Sequence, residues 1–183
     1  MVLDPIIEGF RLTRVLMDGG SSLNLLYQDT VRKMGINPSR IKPTKTTFKG
    51  VIPGVEARCM GSSTLEVVFG SPDNFRSEEL IFDIVPFRSG YHARLGRTTF
   101  ARFNAVPHYT YLKLKMPRPH GVIIVNGNTE RSLRTKEHTA ALATEVQSDL
   151  FKQNLNSAAE LPDTVKRVRT ILQQDNSAHQ QLD

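Results

Sequence analysis

Between Val15 and Leu26 the chain runs apolar, then acidic, then small, then apolar again: Val15-Leu16-Met17-Asp18-Gly19-Gly20-Ser21-Ser22, followed by Leu23-Asn24-Leu25-Leu26. Arg11 to Met17 reads as a strand, so a single carboxylate stands where a buried strand turns sharply. Asp-Gly between apolar runs is also a common hairpin turn. A surface hairpin wants polar alternation on its approach, whereas Val15-Leu16-Met17 is solidly apolar and suits a strand that delivers one acid to a cleft. Glycines let backbone N–H groups come close to a side chain, and such a carboxylate can collect backbone and hydroxyl hydrogen bonds while partly withdrawn from water.

The remaining chemistry is sparse. The single cysteine, Cys59, permits no intrachain disulfide and no cysteine zinc site. It reads as a small buried hydrophobe in a strand, and a reducing, intracellular compartment is the default. His92, His108, His120, His138 and His179 are scattered, with no His-Glu-x-x-His and no i, i+4 pair, so no metal site is expected. Ser21 and Ser22 lack the Gly-x-Ser-x-Gly elbow. No phosphate-binding loop is present, and no cofactor is expected. The net charge of +6 is spread without a basic run or basic–aromatic interleaving, which reads as solvated surface with at most weak, salt-sensitive contact to nucleic acid. No apolar run approaches the ~20 residues that span a bilayer, and Met1 to Pro5 lacks the pattern of a secretion signal.

At 183 residues the length suits one domain with an appendage. Ile6–Phe10 and Arg11–Met17 read as extended, two strands or one bent around Gly9. Gln28 to Met34 reads as a short helix closed by Gly35. Thr46 to Val55 reads as a hairpin with an apolar tip, Val51 and Ile52, which makes sense folded over a ligand or partner, or buried on its own domain. Gly61–Gly70 and Leu80–Val85 read as strands, the second apolar almost throughout and hence central. A strand ending on Leu95-Gly96 passes into a short helix. Thr110–Met116, with Leu112, Leu114 and Met116 on one face, pairs with Val122–Val125 as a hairpin. Beyond Asn128 the pattern turns helical over Glu137–Phe151, and a second, weaker helix from Asp163 to Gln174 precedes a polar end.

The order of these features resembles a retropepsin, the retroviral-type aspartic protease family, and within it the protease segment of plant gypsy-type LTR retrotransposon polyproteins. The residues that carry the resemblance are Val15 to Ser22, Phe48-Lys49-Gly50-Val51-Ile52-Pro53-Gly54, Leu65 to Gly70, and Leu95-Gly96-Arg97 with Phe103-Asn104-Ala105-Val106-Pro107. The resemblance implies an all-β, closed acid-protease barrel with one or two short helices over residues 1–126. Residues 127–183 form a helical, partly disordered extension.

The resemblance further implies an aspartic endopeptidase that cuts a polypeptide substrate, the polyprotein itself, as a homodimer in the cytoplasm or in virus-like particles, with no membrane. Asp18 is the catalytic carboxylate, and its partner is Asp18 of a second chain on a two-fold axis. Gly19, Gly20, Ser21 and Ser22 form the active-site loop. Phe48, Gly50, Val51, Ile52, Pro53 and Gly54 belong to a flap that closes over substrate. Leu95, Gly96 and Arg97 are the second apolar-Gly motif, packed under the loop. The family's motif is Asp-Thr/Ser-Gly, and here position 19 is Gly, without the hydroxyl that braces the loop across the dimer. That departure favours one alternative, a catalytically weak or dead remnant that serves as a dimerisation module. A basic nucleic-acid-associated module is the other.

Overall fold

The computed structural model describes residues 1–49, 56–118 and 121–159. The chain divides into two compact units, Met1–Leu142 and Ala143–Asp183. The first is mostly β. In chain order it carries β1 (Val2–Leu3), β2 (Ile6–Ile7), β3 (Phe10–Arg11), β4 (Val15–Met17), β5 (Leu25–Tyr27) and α1 (Gln28–Met34). There follow β6 (Thr47–Lys49), β7 (Glu56–Arg58), β8 (Gly61–Ser71), β9 (Asn74–Val85), β10 (Ala93–Leu95) and α2 (Arg97–Phe103). Last come β11 (Val106–His108), β12 (Lys113–Arg118), β13 (Gly121–Asn126) and α3 (Thr129–Ala159), whose later turns lie in the second unit.

Eight strands form one curled sheet in the order β1-β4-β10-β5-β9-β8-β2-β3, a half-barrel with β1 and β3 at its ends. β11, β12 and β13 form a second sheet, and β6 pairs with β7. This is the all-β architecture with few helices that the sequence leads one to expect. Alternation builds it. In β8, Gly61, Ser63, Leu65, Val67 and Phe69 are buried while Thr64 and Glu66 are exposed, the period-2 pattern of a strand with one dry face. Leu65, Val67 and Phe69 meet Leu80, Phe82 and Ile84 of β9, Met17 of β4 and Leu95 of β10 in the main core. Phe69 and Phe103 pack edge to face at 5.2 Å. Burying one such side chain contributes roughly 1.5–3 kcal/mol, so the core closes the sheet from within.

α1 occupies the predicted span and ends as predicted: Gly35 adopts φ +63°, and its N–H bonds to the last turn. β9 is central as expected, between β5 and β8, though Ile81 is 64 % exposed. Leu112 departs from the expected strand. It sits in a turn at φ +49°, so β12 starts at Lys113, and only Leu114 and Met116 face inward. Cys59 is buried as expected but lies just beyond β7 rather than in a strand. The helix α3 starts earlier than its apolar pattern suggests. The stretch Asp163–Gln174 lies outside the described residues.

β9 carries one acid inward. Asp83 is buried, paired across the sheet with Leu25 and close to Cys59, and Thr46 donates to its carboxylate. Burial pushes its carboxyl above the ordinary 3.8, and the Thr46 bond opposes this in part. A raised folded-state value means the ionised form is disfavoured in the folded chain. The resulting penalty is absent below the unfolded value, grows as pH rises through the folded value and is complete above it. Asp83→Asn is therefore expected to raise the melting temperature at pH 7 and to leave it unchanged near pH 3. A lower melting temperature at pH 7 would mean that the carboxylate stabilises the fold.

Candidate active site

β4 and β10 run parallel, with Val15, Leu16 and Met17 opposite Ala93, Arg94 and Leu95. Continued by one residue, that register sets Asp18 beside Gly96, so two loops separated by some eighty residues of sequence leave the sheet together. The Asp18 N–H donates to the Leu95 carbonyl at 2.9 Å, and the Arg97 N–H donates to the Ser21 carbonyl at 2.8 Å. The turn closes on itself where the Ser21 N–H meets the Asp18 carbonyl at 3.2 Å. The Gly20 N–H reaches Asp18 Oδ1 at 3.0 Å, and a Cβ on Gly20 would stand only 3.3 Å from that oxygen. The Asp18 side chain keeps 31 % of its surface exposed, which leaves a carboxylate held by the backbone yet open to water. Ser21 bonds locally, its hydroxyl shared between the Leu23 carbonyl and N–H, and Ser22 is exposed.

Gly96 has no room for a side chain. A Cβ there would lie 2.5 Å from the Leu23 carbonyl oxygen and 2.7 Å from that of Ser21. Gly96 thus packs directly against the Asp18 loop. What joins the two loops is Asn24, buried at 4 % exposure. Its Oδ1 accepts from the Gly96 N–H at 2.9 Å, the Thr99 hydroxyl at 2.8 Å and the Thr98 hydroxyl at 3.2 Å, while its Nδ2 donates to the Ile81 carbonyl at 3.1 Å. A buried amide so fully satisfied fixes its surroundings. In the sequence it looks like one polar residue in an apolar run, and only its isolation there hints at a role.

Two further side chains reach the loop without any sequence signal. Arg94 places Nη1 3.4 Å from Asp18 Oδ2, and its Nε is buried without a hydrogen-bond partner among the described residues. Tyr109, from the turn between β11 and β12, accepts the Gly19 N–H on its hydroxyl at 3.2 Å. Position 19 is small enough to admit that hydroxyl, since a Cβ there would stand 3.0 Å from it. Gly19 is not among the residues at positive φ.

Of the expected flap, Thr47–Lys49 and Glu56–Arg58 pair as an antiparallel hairpin with Phe48 opposite Ala57. Gly50, Val51, Ile52, Pro53 and Gly54 lie outside the described residues. Among the described residues no three His, Cys, Asp or Glu side chains gather as metal ligands, and no helix is long and apolar enough to cross a membrane. His108 stacks on Tyr111 at 4.4 Å, and His92 accepts from Arg14.

No protein-family profile matches the chain, and no curated protein matches it in sequence. Among solved structures it is similar to the retroviral protease-like domain of Ddi1 from Leishmania major. The identity is 11 % and the TM-score 0.49, over 68 % of this chain and 89 % of that one. It is also similar to a retropepsin-like aspartic protease from Rickettsia conorii, with 16 % identity and a TM-score of 0.44, over 67 % of this chain and 79 % of that one.

Proposed function

We propose that the chain is an aspartic endopeptidase that acts as a homodimer, with Asp18 as its one catalytic residue per protomer. The observation that carries this reading is the Asp18 loop itself: a partly exposed carboxylate, fixed by the Gly20 N–H and seated on the paired strands β4 and β10. One acid per chain calls for a second copy. Two carboxylates at contact distance cannot both ionise, so the pair shares a proton and titrates as a unit. The charged member draws the proton from a water as it attacks the peptide carbonyl, and the neutral member donates to that carbonyl oxygen. Residues 1–126 make up the catalytic domain and residues 127–183 an extension. Phe48 to Gly54 close over the substrate and exclude water. Polyprotein processing in a plant gypsy-type retrotransposon, within the cell and without a membrane, is the setting that the sequence resemblance suggests.

The test is cleavage of an unstructured polypeptide by the full chain over a protein concentration series. Activity is expected to rise more steeply than linearly at low concentration and to be blocked by a statine-type transition-state mimic. A chain that dimerises but never cleaves would favour the non-catalytic dimerisation module, for which Gly19 is the motivating feature.

Position 19 gives a further expected result. Because Gly19 lies outside the positive-φ region, a β-branched residue meets no backbone strain there; it meets the Tyr109 hydroxyl. Gly19→Thr alone is expected to leave dimerisation unchanged or weaker. Combined with Tyr109→Phe, which clears the space, it should tighten the dimer. Two symmetry-related hydrogen bonds at ~0.5–1.5 kcal/mol each correspond to several-fold to about a hundredfold. Analytical ultracentrifugation of both single variants and the double variant measures this. A double variant no tighter than Tyr109→Phe would remove position 19 from the dimer contact.

A further inference from the structure

Away from the Asp18 loop, the first unit holds a cavity of about 240 Å³ between the start of β4, helix α1, the loop after β9 and the early turns of α3. Its wall carries Arg14, Lys33 and Arg88 with Ser89, His92 and His138. The single carboxylate on the wall, Asp29, lies 3.8 Å from Arg32. Among the described residues no ion pair engages Arg14, Lys33 or Arg88. Arg14 is partly buried while Lys33 and Arg88 are exposed, so three positive charges share one opening to solvent.

His92 fixes the Arg14 side of that wall. Its Nε2 takes Arg14 N–H donors at 3.2 and 2.9 Å, so its proton sits on Nδ1. That Nδ1–H is buried and has no acceptor among the described residues. Burial, with the charges of Arg14 and Lys33 behind it, holds His92 at about 4, so the ring is neutral at pH 7. The wall is also firmly built. A Cβ on Gly90 would lie 2.5 Å from the Thr139 hydroxyl and 2.9 Å from the Thr135 carbonyl, so the loop bearing Arg88 and Ser89 lies directly on α3.

We propose that this cavity binds the phosphate group of a small molecule. The Arg88 guanidinium, the N–H groups that Arg14 does not give to His92, and the Lys33 ammonium match a dianion with several oxygens better than a single carboxylate. The volume suits a phosphate or diphosphate head. None of the lining residues belongs to the Asp18 loop, so the site stands independently of the protease reading.

The test uses the full chain at pH 7 and fixed ionic strength, titrated with inorganic phosphate and with pyrophosphate by calorimetry and thermal melting. Saturable binding, tighter for pyrophosphate, is expected. Lys33→Gln with Arg88→Gln should weaken it about tenfold or more, since each removes a charge-assisted bond. Far-ultraviolet circular dichroism and melting without ligand should match the parent, because neither side chain is part of the core. An equal shift with chloride at matched ionic strength would overturn the proposal, as would a double variant whose affinity stays within about twofold of the parent. A single-stranded oligonucleotide forms a third arm. Binding of the oligonucleotide that is lost in the double variant, while pyrophosphate fails to bind, would assign the cavity to a nucleic-acid backbone and overturn the small-molecule assignment.

Discussion

Asp18→Asn is expected to end peptide cleavage and leave the fold standing. An amide can neither accept the proton of the attacking water nor share one with its counterpart, and loss of a general acid–base group typically costs a factor of ~10²–10⁴. With both members of a dyad replaced at once, the upper end of that range applies. Stability should scarcely change. Asn retains an oxygen for the Gly20 N–H, and what is lost is a half-exposed contact with Arg94 at 3.4 Å, worth about 0–1 kcal/mol at such exposure. Cleavage assays and thermal melting of the same preparation measure the two effects. A variant that cuts at the parental rate would mean that another group is the catalyst. A variant that unfolds would make Asp18 a structural acid.

Gly96→Val should do the reverse, taking stability and activity together. Here the limit is space: a Cβ would stand 2.5 and 2.7 Å from two carbonyl oxygens of the Asp18 loop. These oxygens belong to backbone that cannot turn aside. Overpacking a tight site costs typically 1–3 kcal/mol and more where backbone must move. At about 2–4 °C per kcal/mol for a chain of this size, a fall of roughly 2–12 °C is expected, with the upper end where backbone must move. The Arg97–Ser21 and Gly96–Asn24 bonds would part with it, releasing the Asp18 turn. Unchanged melting with normal activity would show that the two loops can separate without harm.

The elements that were legible in advance are those whose signal is local. The apolar approach of Val15 to Met17 identified β4, the glycine after Met34 closed α1, and the β-forming run Leu65 to Phe69 between Gly61 and Gly70 marked β8. Val2–Leu3 gave no warning, because two residues have no periodicity and gain strand structure only from pairing with β4. Leu112 was assigned to a strand on a period-2 match, and the turn from Tyr109 prevailed. The site divides in the same way. Asp18 and Gly96 belong to recognisable motifs, whereas Asn24, Arg94 and Tyr109 act through contacts with residues far from them in sequence. No window of sequence contains both Gly19 and Tyr109, and their hydrogen bond exists only once the second sheet has folded beside the first.

The parallel pairing of β4 with β10 also sets an order of events during synthesis. Asp18 is made some eighty residues before its anchors Leu95, Gly96 and Arg97, and Tyr109 follows still later. Closing so long a loop is entropically slow, and local hairpins such as β8–β9 form before it. A nascent or truncated chain that ends before Gly96 carries the carboxylate without its cradle. The topology therefore orders assembly: the Asp18 turn gains its anchors only once Gly96 and Arg97 have been made, so on the proposed protease reading no braced acid exists before most of the β unit does.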